Sequence, residues 1–228
     1  MAEFREQRHA GITFLSVIPA RTASTGFTEA LVDGLRSGDA VRVEAAFPPA
    51  RIALLQAEAA RAHAAGAFAA ARVGHARHGD PQLRGDALCW LDGLDDAPEA
   101  AELLAELDAL RRSLDRALLL GVAEVEAHYA RYPVGAHYAR HLDRFDDGQG
   151  SAVAVGGERV LSLVLYLNQG WRAEHGGALR LYDAAGRGHD VLPQGGELVA
   201  FLSDRIAHEV LPAARERWSV AAWLRRAA

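Results

Sequence analysis

The sequence predicts an α+β fold: helices come first and pack on one sheet of a jelly roll, the double-stranded β-helix arrangement. Three observations predict it. The hydrophobic period is helical from about residue 26 to 120 and changes to two from residue 121 onward. The second half breaks into about eight short apolar segments separated by glycine, proline or aspartate. Helices followed by a run of strands argue for helices segregated to one face of an antiparallel sheet. The expected organisation is a flexible extension over 1–25 and one domain over 26–228, its helical part 26–120 and its jelly-roll part 121–228.

The elements follow in chain order. TEALVDGLRSG (28–38) reads as a short amphipathic helix closed by glycine. AVRVEAAF (40–47) reads as a strand. PPARIALLQAEAARAHAAG (48–66) has prolines where a helix starts and Gly66 where it stops. APEAAELLAELDALRRSLDRALLLG (97–121) is a long third helix with a glycine stop. VAEVEAHYARY, GAHYARHLD, RVLSLVLYLN, GALRLYD, HDVLP, GELVAFLS, AHEVLPA and RWSVAAWLRR then supply the strands.

Composition narrows the function. The net charge of −5 provides no basic field for a nucleic-acid backbone. All 25 cationic residues are arginine, a mark of base-composition bias. The single cysteine, Cys89, excludes an intrachain disulfide, fits a reducing compartment and reads as a small core residue. No apolar run approaches the ~18 residues of a membrane span. GITFLSVIPA (11–20) follows arginines, but Glu3, Glu6, Thr13 and Ser16 argue against a signal peptide. A cytoplasmic protein whose ordered part begins near Gly26 is expected.

The chemistry concentrates in RHLDRFDDG (140–148). Side chains at i and i+2 of a strand point to one side, so His141 and Asp143 converge. His208, in AHEVLPA, can complete a set of two histidines and one carboxylate if the barrel brings the strands together. Such a facial set leaves positions open on an octahedral ion, as in non-haem iron oxygenases. His75, His78, His128, His137, His175 and His189 read as surface or structural histidines. Arg217, nine residues after His208, would be costly in an apolar barrel without an anion. Tyr166 shares a strand face with Val160, Ser162 and Val164. A phenol and a guanidinium together make a carboxylate clamp.

These motifs carry a resemblance. YPVGAHYARHLD, LYLN, GGALRLY, FLSDRIAHEVLPA and RWSVAAW occur in the order found in 2-oxoglutarate- and Fe(II)-dependent prolyl hydroxylases, which include the oxygen-sensing hydroxylases of hypoxia-inducible factor and bacterial relatives. RGDALCWLDG (84–93) is similar to that family's substrate-facing stretch. The resemblance covers roughly 38–226 and implies His141, Asp143 and His208 as iron ligands, with Arg217 and Tyr166 holding the distal carboxylate of 2-oxoglutarate. It implies Tyr132, Tyr138, Leu179, Val210 and Trp223 as pocket lining, and Arg84, Asp86 and Trp90 as the substrate loop. Ala221 stands where the hypoxia-sensing members carry threonine, so one polar pocket contact is missing.

The implied activity is 4-hydroxylation of a prolyl residue in a protein, with O2 as co-substrate, succinate and CO2 as co-products and ascorbate as accessory reductant. The resemblance implies a ribosome-associated or translation protein, such as elongation factor Tu, as a bacterial target. The same chemistry on a free amino acid or small metabolite, and a non-enzymatic metal-binding sensor, are the alternatives. The stretch 73–86, VGHARHGDPQLRGD, reads as an exposed loop able to close over a peptide, ordered by Arg84 and Asp86 and anchored in the core by Trp90.

Overall fold

The computed structural model describes residues 14–19, 24–37, 40–71, 83–144 and 157–227. The first half contributes β1 (Leu15–Ile18), α1 (Ser24–Ser37), β2 (Ala40–Val43), α2 (Pro49–Ala64), β3 (Ala69–Ala70), β4 (Ala87–Trp90) and α3 (Pro98–Leu118). The second half contributes β5 (Glu124–Tyr132), β6 (Tyr138–His141), β7 (Arg159–Tyr166), β8 (Leu179–Tyr182), β9 (Gly188–Val191), β10 (Leu198–Leu202), β11 (His208–Val210) and β12 (Arg217–Arg225). All eight strands expected after residue 121 form.

Among the described residues the strands make two sheets, ordered β1-β2-β10-β7-β12-β5-β4-β3 and β6-β11-β8-β9. Every pairing is antiparallel except β1 with β2. Strand period two sorts the large sheet's side chains between two layers. Leu161, Leu163 and Leu165 of β7, with Val220, Ala222 and Leu224 of β12, join the core that also holds the buried helix residues. Ala130, Tyr132, Tyr166, Val199 and Phe201 face the other way, meeting Leu179, Leu181 and Val210 of the small sheet. The helices therefore cover one face of the large sheet and leave its other face to line the space between sheets.

The helices obey their local signals with two adjustments. α2 starts on prolines, where a missing N–H costs nothing. α3 turns Ala100, Leu103, Leu107, Leu110 and Leu114 inward. It ends before Gly121, because Leu119 itself takes the left-handed conformation (φ 54°). α1 begins earlier than Thr28, at Ser24. Glu58 of α2 ties the helical layer to the sheet: its carboxylate accepts from the Glu99 and Ala100 N–H groups at the start of α3 and from the Tyr129 hydroxyl of β5.

Part of the expected extension belongs to the sheet. Leu15–Ile18 pairs in parallel with Ala40–Val43, so order begins before Gly26. A four-residue segment of mixed polarity carries no periodic signal, and its strand state depends on a partner 25 residues away. Ala87–Trp90, expected as part of a substrate-facing stretch, is a strand paired with β5. Residues 72–82, most of the expected closing loop, lie outside the described residues. Among the described residues, no helix is long and apolar enough to cross a membrane.

Candidate active site

The small sheet brings His208 to His141 and Asp143, 65 residues after Asp143 in the chain. β11 pairs with β6 in a register that sets His208 directly opposite His141, with ring centroids 4.2 Å apart. Asp143, just past the end of β6, places its Oδ1 3.5 Å from His141 Nε2 and its Oδ2 3.7 Å from His208 Nε2. One ligand atom from each of the three side chains lies within 4.8 Å of the others.

Both imidazoles are fixed in orientation. His141 Nδ1 lies 2.8 Å from the Ala139 carbonyl and His208 Nδ1 lies 3.1 Å from the Ile206 carbonyl. A carbonyl only accepts, so each Nδ1 carries a proton and each Nε2 is the nitrogen left to face a metal. Burial pushes the His208 imidazolium down to about 4, and Asp143 only partly offsets this, so the ring is neutral. Burial opposes ionisation of Asp143 as well. The neighbouring His208 and His141 and the Ser162 hydroxyl outweigh it and hold the carboxyl well below its usual range. Two imidazole nitrogens and one ionised carboxylate, convergent and largely buried, fit a single iron(II) ion.

The triad opens on a cavity between the sheets. Twelve of the thirteen side chains expected at the site line it: Arg84, Asp86, Trp90, Tyr132, Tyr138, His141, Asp143, Leu179, His208, Val210, Arg217 and Trp223. Arg217 is 2% exposed. It donates from Nε to the Gly177 carbonyl (3.0 Å) and from Nη1 to Ser219 Oγ (3.3 Å), and its guanidinium faces the rings of Tyr132 and Tyr166 at 5.0 and 5.3 Å. No carboxylate among the described residues pairs with it, although a buried cation without a counter-charge is costly. Gly177 (φ +69°) makes this approach feasible: a Cβ there would lie 2.8 Å from that of Ala213 and 3.5 Å from Arg217 Cδ.

Tyr166 is the thirteenth. It is absent from the cavity wall and fully buried, with a hydroxyl that has no hydrogen-bond partner. Burial pushes its phenol up, against the opposing pull of Arg217, so the group stays protonated.

In the cavity wall, Arg84 donates to both oxygens of Asp86 (2.8 and 2.7 Å) and lies 4.2 Å over the Tyr138 ring. Arg84 and Asp86, expected to order this stretch, thus form an ion pair with one another. The expected core anchor does not form: Trp90 is 40% exposed, because β4 runs near the edge of the sheet, and its ring stacks on His128 at 5.0 Å. His128 takes the structural rather than the surface alternative. It is buried, lines the cavity, and packs between Trp90 and Trp223. Burial pushes its imidazolium down to about 3. Alternation along β5 puts His128, Ala130 and Tyr132 on one face, a signal available in the sequence. Arg159 was missed too. It lies 3.5 Å over the Trp223 ring, paired with Glu126.

The comparisons with known proteins agree with this geometry. The sequence model of the 2OG-Fe(II) oxygenase superfamily matches residues 127–225. The crystal structure of a Pseudomonas putida prolyl-4-hydroxylase is 39% identical, covers 88% of this chain and 100% of its own, and superposes with a TM-score of 0.75. A Trichoplax adhaerens prolyl hydroxylase, solved with a hypoxia-inducible factor peptide fragment, shares the fold at a TM-score of 0.77 and 22% identity, over 88% of this chain and 89% of that one. Mouse prolyl hydroxylase EGLN3 is 31% identical over 154 residues, 62% of this chain and 58% of that protein. The hypoxia-inducible factor prolyl hydroxylase of Caenorhabditis elegans is 29% identical over 180 residues, 73% of this chain but 24% of that protein. The chain thus spans a quarter to somewhat over half of these two relatives. Iron(II) and 2-oxoglutarate are the cofactor and co-substrate of the matched family, and the chain belongs to that 2OG-Fe(II) oxygenase superfamily, within its prolyl hydroxylases.

Proposed function

We propose that the protein is a prolyl 4-hydroxylase acting on a proline in a protein or peptide, consuming 2-oxoglutarate and O2 and releasing succinate and CO2. The observation that carries the reading is one cavity holding both the His141–Asp143–His208 triad and a buried guanidinium, Arg217, with no acidic partner. The triad would hold iron(II), which when bound supplies the oxidative chemistry that splits 2-oxoglutarate and places oxygen on a C–H bond.

The protein's own groups do the rest. Arg217 meets the distal carboxylate of 2-oxoglutarate, and the unpartnered hydroxyl of Tyr166, whose ring faces the same guanidinium, supplies a second contact. Tyr132, Leu179 and Val210 give the co-substrate apolar walls that exclude water. Arg84, Asp86 and Trp90 border the mouth where an extended peptide would lie. Similarity to the Pseudomonas enzyme supports prolyl rather than small-molecule hydroxylation. Elongation factor Tu is the first target to test, and the single cysteine supports a reducing, cytoplasmic setting.

The test is direct. The protein is incubated with iron(II), 2-oxoglutarate and either elongation factor Tu or proline-bearing peptides, with His141→Ala as control. Succinate is quantified and peptides are mapped for one added oxygen. Hydroxyproline formed by wild type alone supports the reading. Succinate release without any oxidised proline, stimulated instead by a free amino acid, would replace it.

A further inference from the structure

The two histidines of the triad come from neighbouring strands of the small sheet, where backbone pairing fixes their separation. Asp143 lacks that support, since it follows the end of β6. Its place is set from the opposite sheet. Ser162 Oγ, on β7, lies 2.6 Å from Asp143 Oδ2, and Ser203 Oγ, just past β10, lies 2.8 Å from Ser162 Oγ. Ser162 and Ser203 are 1% and 0% exposed, so bulk water does not compete for these bonds.

The direction of the bonds follows from the chemistry. An ionised carboxylate only accepts, so the single Ser162 proton goes to Asp143. Ser162 must then accept from Ser203. The result is a one-way chain in which the second hydroxyl polarises the first. The Ser203 backbone grips the same place: its N–H donates to Val160 O (3.0 Å) and its carbonyl accepts from Arg144 N–H (3.2 Å), one residue past Asp143.

We propose that Ser162 and Ser203 are positioning residues. Together they hold Asp143 Oδ2 against the large sheet, leaving Oδ1 for the metal and fixing how tightly the triad binds it. The inference rests on reading the triad as the metal site. Removing hydrogen-bond partners of metal ligands elsewhere weakens metal binding roughly tenfold to a hundredfold. Ser162→Ala should fall in that range, and Ser203→Ala, one bond further away, roughly threefold to tenfold.

The experiment uses metal-free full-length protein titrated with cobalt(II), a redox-stable probe, followed by calorimetry and by the cobalt absorption bands. Wild type, Ser162→Ala, Ser162→Thr, Ser203→Ala, the double alanine variant and His141→Ala are compared, each with a melting curve of the metal-free form. Ser162→Ala and Ser203→Ala should weaken cobalt binding and shift the bands. Ser162→Thr, which keeps the hydroxyl, should restore both. Ser203→Ala should have no further effect once Ser162 is alanine, because the chain is already cut. Equal cobalt affinity and spectra in wild type and both alanine variants would overturn the proposal while leaving the triad intact. So would independent, additive losses. Failure of wild type to bind cobalt, or unchanged binding in His141→Ala, would instead overturn the triad and the relay with it.

Discussion

Replacing Arg217 with methionine should separate two consequences of one buried charge. The guanidinium is 2% exposed and has no acidic partner among the described residues. A ligand carboxylate that met it would lose its counter-charge in the variant, at a cost of about 2–5 kcal/mol. At ~1.4 kcal/mol per decade, 2-oxoglutarate binding should weaken about 30-fold to about 4,000-fold. The ligand-free protein should respond very differently. Methionine orphans the Gly177 carbonyl and the Ser219 hydroxyl, together worth about 1–3 kcal/mol. It also removes a desolvated cation without a counter-charge, which offsets that loss. The two nearly cancel, so the ligand-free melting point should change little. The assay is thermal unfolding with and without 2-oxoglutarate, using a redox-inert divalent metal. Wild type should be stabilised as 2-oxoglutarate is raised, and Arg217→Met should need about 30-fold to about 4,000-fold more for the same shift. An equal 2-oxoglutarate-induced shift in both proteins would refute the assignment of Arg217. A collapse of the ligand-free variant would refute the claim that the charge awaits a partner.

Tyr166→Phe should raise the 2-oxoglutarate requirement more mildly, by about 0.5–1.5 kcal/mol, while leaving the ligand-free fold as stable or more so, since its hydroxyl has no partner there; a titration of succinate formation checks this. His141→Ala should abolish succinate formation and leave the circular dichroism spectrum unchanged, because the side chain is an edge ligand of the small sheet rather than core. Glu58→Ala should destabilise by about 3 kcal/mol, since two N–H groups at the start of α3 and the Tyr129 hydroxyl lose a charged acceptor; urea unfolding measures it. His128 gives a pH signature. Burial keeps it neutral when folded, with a pKa of about 3, while the unfolded chain takes up a proton below about 6.5. The unfolded state therefore binds more protons in that window, and stability falls as pH drops from about 6.5 towards 3. His128→Leu should flatten that slope in denaturation curves of the metal-free protein.

The second half of the chain was legible because its physics is local. Strands alternate with period two, so His141 and Asp143 declare a shared side, and Arg217 falls on the same face of its strand as Ser219, Ala221 and Trp223, all cavity-lining. The start of α2 was legible for a similar reason: a proline advertises a missing N–H. Motif order then named the chemistry. What the sequence by itself determined is thus the fold class, the donor set and the buried cation, each a property of one segment or of segments in order.

Only tertiary structure decided which segments meet. Leu15–Ile18 is a strand because Ala40–Val43 lies beside it, and Ala87–Trp90 because β5 does. Strand pairing across distant segments depends on packing and burial, not on the intrinsic preference of four residues. His128 looked ordinary in the chain and became a buried wall residue once Trp90 and Trp223 closed on it. Ser162 and Ser203 are 41 residues apart, and neither carries a signal alone. Ser162 reaches Asp143, with Ser203 behind it, because two sheets face one another, and a hydrogen bond of 2.6 Å exists only where folding has already placed both partners.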